Sequence, residues 1–374
     1  MIFDCFCFRQ INLKTAHRTN KWLLNFSFTL AKVESITFFS TGMRKFLMTV
    51  LAAFVPFNIY SGNYKLSEIH IRDPYILTDS VAGMYYMYRI SDTIDGAGKV
   101  RGGVEVFTSR TLDNWEGPKT VMRIPDGNAL TGTVWAPEVH AYDGRYYLFA
   151  TINSDIKWKK SQPGWGDFSH RGTQIFRSDS PEGPFVPFDK FPHTPGMMAL
   201  DGTLWVEDGN PYMIYCHEWV ELGDGTMELV ELAPDLSETV GNPVVLFNGS
   251  APDWSTGIQS SPESPKGYVT DGCYLYRTGT GKLLMIWSSF GSNGYAIGIA
   301  ESATGSVKGP WIQHDKPLFP DNGGHGMIFR TLGGDLCLIL HQPNDPFGAE
   351  RARIFPLEDT GDTLVLKSKK KQHN

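Results

Sequence analysis

Residues 135–152 read WAPEVHAYDGRYYLFATI. Two apolar runs flank Asp143-Gly144, and neither has a helical period. Aromatic and β-branched runs separated by Gly, Asp, Asn and Pro turns mark paired strands. The arrangement recurs along the chain. An acidic residue also precedes two apolar runs in "IRDPYI…MYYMYRI" (71–90), "ALDGTLWVEDGNPYMIYCHEW" (199–219) and "TDGCYLYRTGTGKLLMIWSS" (270–289). The acids are Asp73, Glu138, Asp201 and Asp271, separated by 65, 63 and 70 residues. A fifth unit, "GGHGMIFRTLGGDLCLILHQP" (323–343), carries His325 in that slot. Gly-Pro closes the outer part of three units, at Gly117, Gly183 and Gly309.

Five units of about four strands each predict an all-β fold, a five-bladed β-propeller. Two β-sandwiches would account for the strands but not for an acid recurring at one place in each unit. In a propeller the first strand of each blade lies nearest the axis. Asp73, Glu138, Asp201, Asp271 and His325 are therefore expected around one mouth of the central channel. Second strands return to that face and add His217, Glu218, Ser289 and His341.

Composition narrows the function. The chain of 374 residues is 41% hydrophobic, 13% aromatic and 20% charged, with net charge −6. This suits a β-rich protein with a sugar-like ligand, and it offers no field for nucleic acid or an anionic membrane. The terminal KSKKKQHN (367–374) reads as a solvated basic tail. Cys5, Cys7, Cys216, Cys273 and Cys337 have neither zinc-finger spacing nor a disulfide pattern, and the last three read as buried thiols. Phosphate-loop, dinucleotide and G-x-S-x-G motifs are absent. Residues 1–42 read as an upstream extension. Residues 43–62 (MRKFLMTVLAAFVPFNIYSG) have the layout of a secretory signal, too short for a transmembrane helix. Translation from Met43 would place a monomeric propeller, residues 63–366, outside the cytoplasm, secreted or periplasmic.

Carboxylates gathered from separate blades repel one another unless they hold a cation or serve chemistry that needs shifted pKa values. Two such groups across a sugar-sized gap can hydrolyse a glycosidic bond. One stays ionised and activates water, and the other protonates the leaving oxygen. Trp135, Trp205, Trp219, Trp254 and Phe290 are the aromatics expected at the rim.

"RDPYI", "WAPEVHAYDGRYYLF", the Asp201 opening and "TDGCYLY" together resemble glycoside hydrolase family 43 over roughly residues 65–345. The resemblance implies a five-bladed inverting glycosidase for arabinofuranosides, xylosides or related galactosides, with an oligo- or polysaccharide as partner and no required cofactor. It implies Asp73 as general base and Asp201 as the carboxylate that tunes the acid. The family's acid is a Glu in an E-G-P triplet, whereas Asp271-Gly272-Cys273 stands here. The proton donor is then Asp271 or Glu218. Glu138, Trp135, His217, Trp219 and His325 are the implied substrate contacts. His325 is also the implied holder of a structural calcium ion in the channel. Two alternatives stay open: a glycan-binding propeller that has lost its acid, and a fructan-type five-bladed hydrolase. Against the second, the chain has no W-M-N-D-P-N-like opening near its first blade.

Overall fold

The computed structural model describes residues 62–367, apart from 161–164, 166, 195 and 260–261. The upstream extension, the signal segment up to residue 61, Cys5, Cys7 and the tail beyond Lys367 lie outside the described residues. The propeller expectation holds. Five antiparallel sheets follow one another, each ordered from an innermost to an outermost strand. The innermost strands are Tyr75–Asp79, Val134–Tyr142, Ala199–Glu207, Asp271–Arg277 and Gly324–Arg330. Each lies against the next, and the fifth lies against the first, so the ring is closed. Blade one carries a fifth, outer strand, Gly62–Lys65, paired to Asn114–Arg123.

Why these residues form blades is visible in their burial. Second strands are covered on both faces by neighbouring blades, so they read as unbroken apolar runs. Leu283–Gly291 (LLMIWSSFG) is buried from Leu283 to Ser289. Outer strands face water and alternate or turn polar, as in Asn114–Arg123. The three Gly-Pro markers fall at the outer strands of blades one, two and four, and each is a cis peptide. Cys216, Cys273 and Cys337 are free and buried.

Each innermost strand begins with the same irregularity. In blades two to five the pairing register skips between Trp135 and Glu138, Leu200 and Thr203, Asp271 and Tyr274, and Gly324 and Met327. Within each skip one residue is left-handed: Ala136 (φ +41°), Asp201 (+55°), Gly272 (+41°) and His325 (+48°). Asp73 (φ +50°) stands two residues before pairing resumes at Tyr75, in the equivalent place. Such a bulge frees a backbone N–H that needs a new acceptor. The preceding blade supplies it from its second strand. The Asp201 amide donates to Thr151 Oγ1 (2.9 Å), the His325 amide to Ser288 Oγ (2.8 Å), and the Asp73 amide to His341 Nδ1 (3.3 Å). Thr151, Ser288 and His341 occupy matching positions, each two residues beyond the partner of the residue where pairing resumes.

Blades one and five are joined by side chains. The Arg72 guanidinium donates to fully buried Glu350 (2.9 Å) and to Asn344 Oδ1 (2.6 Å). The Tyr85 hydroxyl accepts the Leu332 amide at 2.6 Å.

Thr151→Val keeps the shape but leaves the Asp201 amide buried without an acceptor. Urea unfolding should show a loss of about 1–3 kcal/mol, the cost of an unpaired buried donor. An unchanged midpoint would mean that the bulge does not need its neighbour.

Candidate active site

The bulges bring Asp73, Asp201 and His325 together at the channel mouth. His325 Nδ1 lies 3.3 Å from Asp73 Oδ1 and 3.8 Å from Asp201 Oδ2. His341 Nδ1 and Arg72 Nε approach Asp73 Oδ1 at 3.2 and 3.9 Å. Burial alone would raise the Asp73 carboxyl. His325 first, with Arg72, outweighs it and holds Asp73 well below the usual carboxylate range. Burial would also strip His325 of its proton, but Asp73, Asp201, Asp271 and Glu138 raise its pKa.

Asp201 and Asp271 have the opposite fate. Both are pushed up, first by burial and then by other carboxylates at the mouth, although His325 counteracts the rise in each. Asp201 Oδ2 accepts the Gly272 amide (3.1 Å), and Asp271 Oδ2 accepts the Tyr295 hydroxyl (2.9 Å). Gly272 is required by its neighbours. A Cβ at this left-handed position would sit 2.6 Å from the His325 ring.

Glu218 follows the second strand of blade three and precedes a four-residue helix, Trp219–Leu222. Its carboxyl is buried, and Arg171 Nη1 donates to Oε1 at 2.9 Å. Oε2 is buried and has no hydrogen-bond partner among the described residues. Burial pushes Glu218 up to about 7; Asp271 adds to the rise, while Arg171 and His217 oppose it. Trp135 lies under the Arg171 guanidinium at 4.4 Å.

Several expected positions need correction. Glu138 is not the equivalent of Asp73. Ala136 holds that place, and Glu138 matches Tyr75, two residues further along the strand. There it bonds to His140 Nε2 (3.0 Å), whose Nδ1 meets the Tyr75 hydroxyl at 3.3 Å. This polar group lies a step into the channel, below the mouth. Asp271 stands one residue ahead of its left-handed neighbour Gly272. His217 has both ring nitrogens on carboxylates, Nδ1 at 3.0 Å from Glu228 and Nε2 at 3.3 Å from Glu221, so it braces its own blade. Trp219 is only 4% exposed and packs edge-on against Trp165. Trp254 is buried over Gly298, against Trp287. Trp205 lies beyond the middle of its strand, under Arg277, away from the mouth. Trp135 and Phe290 are the half-buried aromatics left beside the mouth. His341 is at the mouth as its second-strand position implied, whereas Arg171 and Tyr295 are site residues that the strand pattern did not single out.

His325 also bears on calcium. No three or more His, Cys, Asp or Glu side chains converge as a metal cluster among the described residues. His325 Nδ1 is turned to carboxylates.

The family model for glycosyl hydrolases family 43 matches residues 66–361. The chain belongs to this family. Solved structures are similar to it as well. An endo-arabinase from Bacteroides thetaiotaomicron is 37% identical, with a TM-score of 0.69 over 79% of this chain and 96% of that one. A thermostable family-43 glycoside hydrolase (22%, TM-score 0.62, 82% and 95% covered) shares the fold. So does an α-L-arabinofuranosidase from Lactobacillus brevis (21%, TM-score 0.61, 79% and 93% covered). No match was found among curated proteins. The protein is thus a family 43 glycoside hydrolase, an enzyme whose substrate is carbohydrate, and its propeller mouth is where that family's carboxylates are to be sought.

Gly272→Ala should keep the fold by circular dichroism yet lower kcat/KM on the order of 100-fold, because the His325 ring and the Asp201 carboxylate must both shift. Near-normal turnover would show that their placement is not critical.

Proposed function

We propose that this family 43 enzyme is an inverting hydrolase that removes terminal or side-chain arabinofuranosyl units from a polysaccharide, with Asp73 as general base and Glu218 as general acid. In this reading Asp73 takes a proton from water as the water oxygen bonds to the anomeric carbon. Glu218 gives its proton to the glycosidic oxygen, and the carbon–oxygen bond breaks with its electrons going to that oxygen. One observation carries the assignment. Glu218 is pushed up to about 7 and has an unpartnered buried Oε2, while Asp73 is held ionised. Asp201 serves by accepting the Gly272 amide and so fixing the Asp271–Gly272 turn.

A second reading makes Asp271 the donor. It is supported by its elevated pKa beside Asp201 and by its place in the triplet where the family carries its acid. The arabinofuranosyl preference rests on the 37% identical protein described as an endo-arabinase. Export is supported by Arg44 and Lys45 ahead of an apolar run.

Leaving groups separate the two donors. Glu218→Gln should lose about 10²–10⁴-fold on arabinan oligosaccharides and little on aryl arabinofuranosides with activated leaving groups, which need no proton. If Asp271→Asn shows that split and Glu218→Gln does not, Asp271 is the acid. Asp73→Asn should lose activity on both substrates.

The pH profile has a definite sign. The donor must be protonated, so kcat/KM should fall as pH rises through about 7. Asp73 ionises well below the usual range, so the acid side should stay flat through the region where an ordinary carboxylate titrates. An acid limb near 4 would place an unperturbed base in the site.

A further inference from the structure

Arg171 comes from the third strand of blade two, Ser169–Ser178, immediately after a register shift between Ser169 and Arg171. Such a shift re-aims a side chain. The guanidinium leaves its own blade and reaches Glu218 on blade three, buried and seated on the Trp135 ring. Arginine can only donate hydrogen bonds. Its Nη1 points a hydrogen at Glu218 Oε1, so Oε1 accepts, and because the carbonyl-type oxygen is the better acceptor, the bond favours the proton of the neutral carboxyl on Oε2. Oε2 is the oxygen that has no hydrogen-bond partner among the described residues.

We propose that Arg171 is the positioning residue of the proton donor: it fixes Glu218 Oε1, confines the transferable proton to Oε2, and holds the carboxylate that remains after transfer. The proposal rests on Glu218 being the general acid. Before transfer the contact is a hydrogen bond from a cation to a neutral carboxyl. Afterwards both partners are charged, and the bond becomes a buried ion pair. The interaction therefore strengthens as the proton leaves, which is the condition for lowering the barrier rather than merely binding substrate. The other charged groups that act on Glu218 are His217 beside it and Asp271 from blade four. His217 is itself clamped by Glu221 and Glu228. Arg171 is the cation that directly bonds the donor. Trp135 gives the guanidinium a flat apolar seat, so its angle to Glu218 is set by packing on a third group.

The test is the pH dependence of kcat/KM for Arg171→Met and Arg171→Lys on an arabinan oligosaccharide and on an activated aryl arabinofuranoside. Without the cation, Glu218 keeps its proton to higher pH. The alkaline limb of Arg171→Met should therefore move up by about 1–3 units. Its rate on the oligosaccharide should drop on the order of 10–100-fold while the aryl substrate is nearly spared. Arg171→Lys should fall between Arg171→Met and wild type. The double variant Arg171→Met/Glu218→Gln should be no slower on the oligosaccharide than Glu218→Gln alone. An unmoved alkaline limb in a folded Arg171→Met, with both substrates slowed equally, would overturn the proposal. If Arg171→Met does not fold, Arg171→Lys decides: an unshifted limb with equal slowing of both substrates counts against it. Persistence of the alkaline limb in Glu218→Gln would instead remove the acid assignment itself. Loss of that limb in Glu218→Gln with no movement in Arg171→Met would remove only the role of Arg171.

Discussion

The N–H that Asp201 donates to Thr151 is one copy of the contact on which the mouth of this propeller depends. Each innermost strand opens with a left-handed residue, and each such kink costs of order 1–3 kcal/mol unless its surroundings fix it. In three of the five blades the preceding blade does so, through Thr151, Ser288 or His341. At Gly272 the acceptor is instead the Asp201 carboxylate. The site is thus assembled blade against blade. The side chains at the bulges are aimed by backbone that cannot relax without opening the ring, and catalytic geometry and ring closure share the same bonds.

Electrostatics then sort chemically similar carboxyls into different states. Burial acts on all of them in the same direction, so the neighbours decide. Asp73 faces His325, His341 and Arg72 and stays ionised. Glu218 has Arg171 but also full burial and the repulsion of Asp271, and it stays near its titration point. A base and an acid at one pH need such unequal surroundings. His325, whose pKa the surrounding carboxyls raise, lies between Asp73 and Asp201 and offsets their repulsion.

The five-bladed ring was legible because strand length and turn chemistry repeat at blade spacing. Asp73, Asp201 and His325 were legible for the same reason. Glu138 was misplaced because counting acids is not counting register. Pro74 and Pro137 each follow the bulge residue, and aligning them sets Ala136, not Glu138, opposite Asp73. Trp205, Trp219 and Trp254 were misread because alternation along a strand does not tell which end meets the channel or what covers the ring. Arg171 was missed because it lies on a third strand and reaches the site only through a local register shift. The hydroxyls of Thr151 and Ser288 gave no signal, since their role exists only between blades.

The chemistry at the mouth depends on Glu218 being a carboxyl held protonated near neutral pH beside an ionised Asp73. Side-chain carboxyl NMR on protein labelled with ¹³C-glutamate measures this directly. The prediction is one glutamate resonance that titrates near 7 and disappears in Glu218→Gln. If every glutamate titrates in the ordinary range near 4, the mouth does not sort its carboxyls as described here.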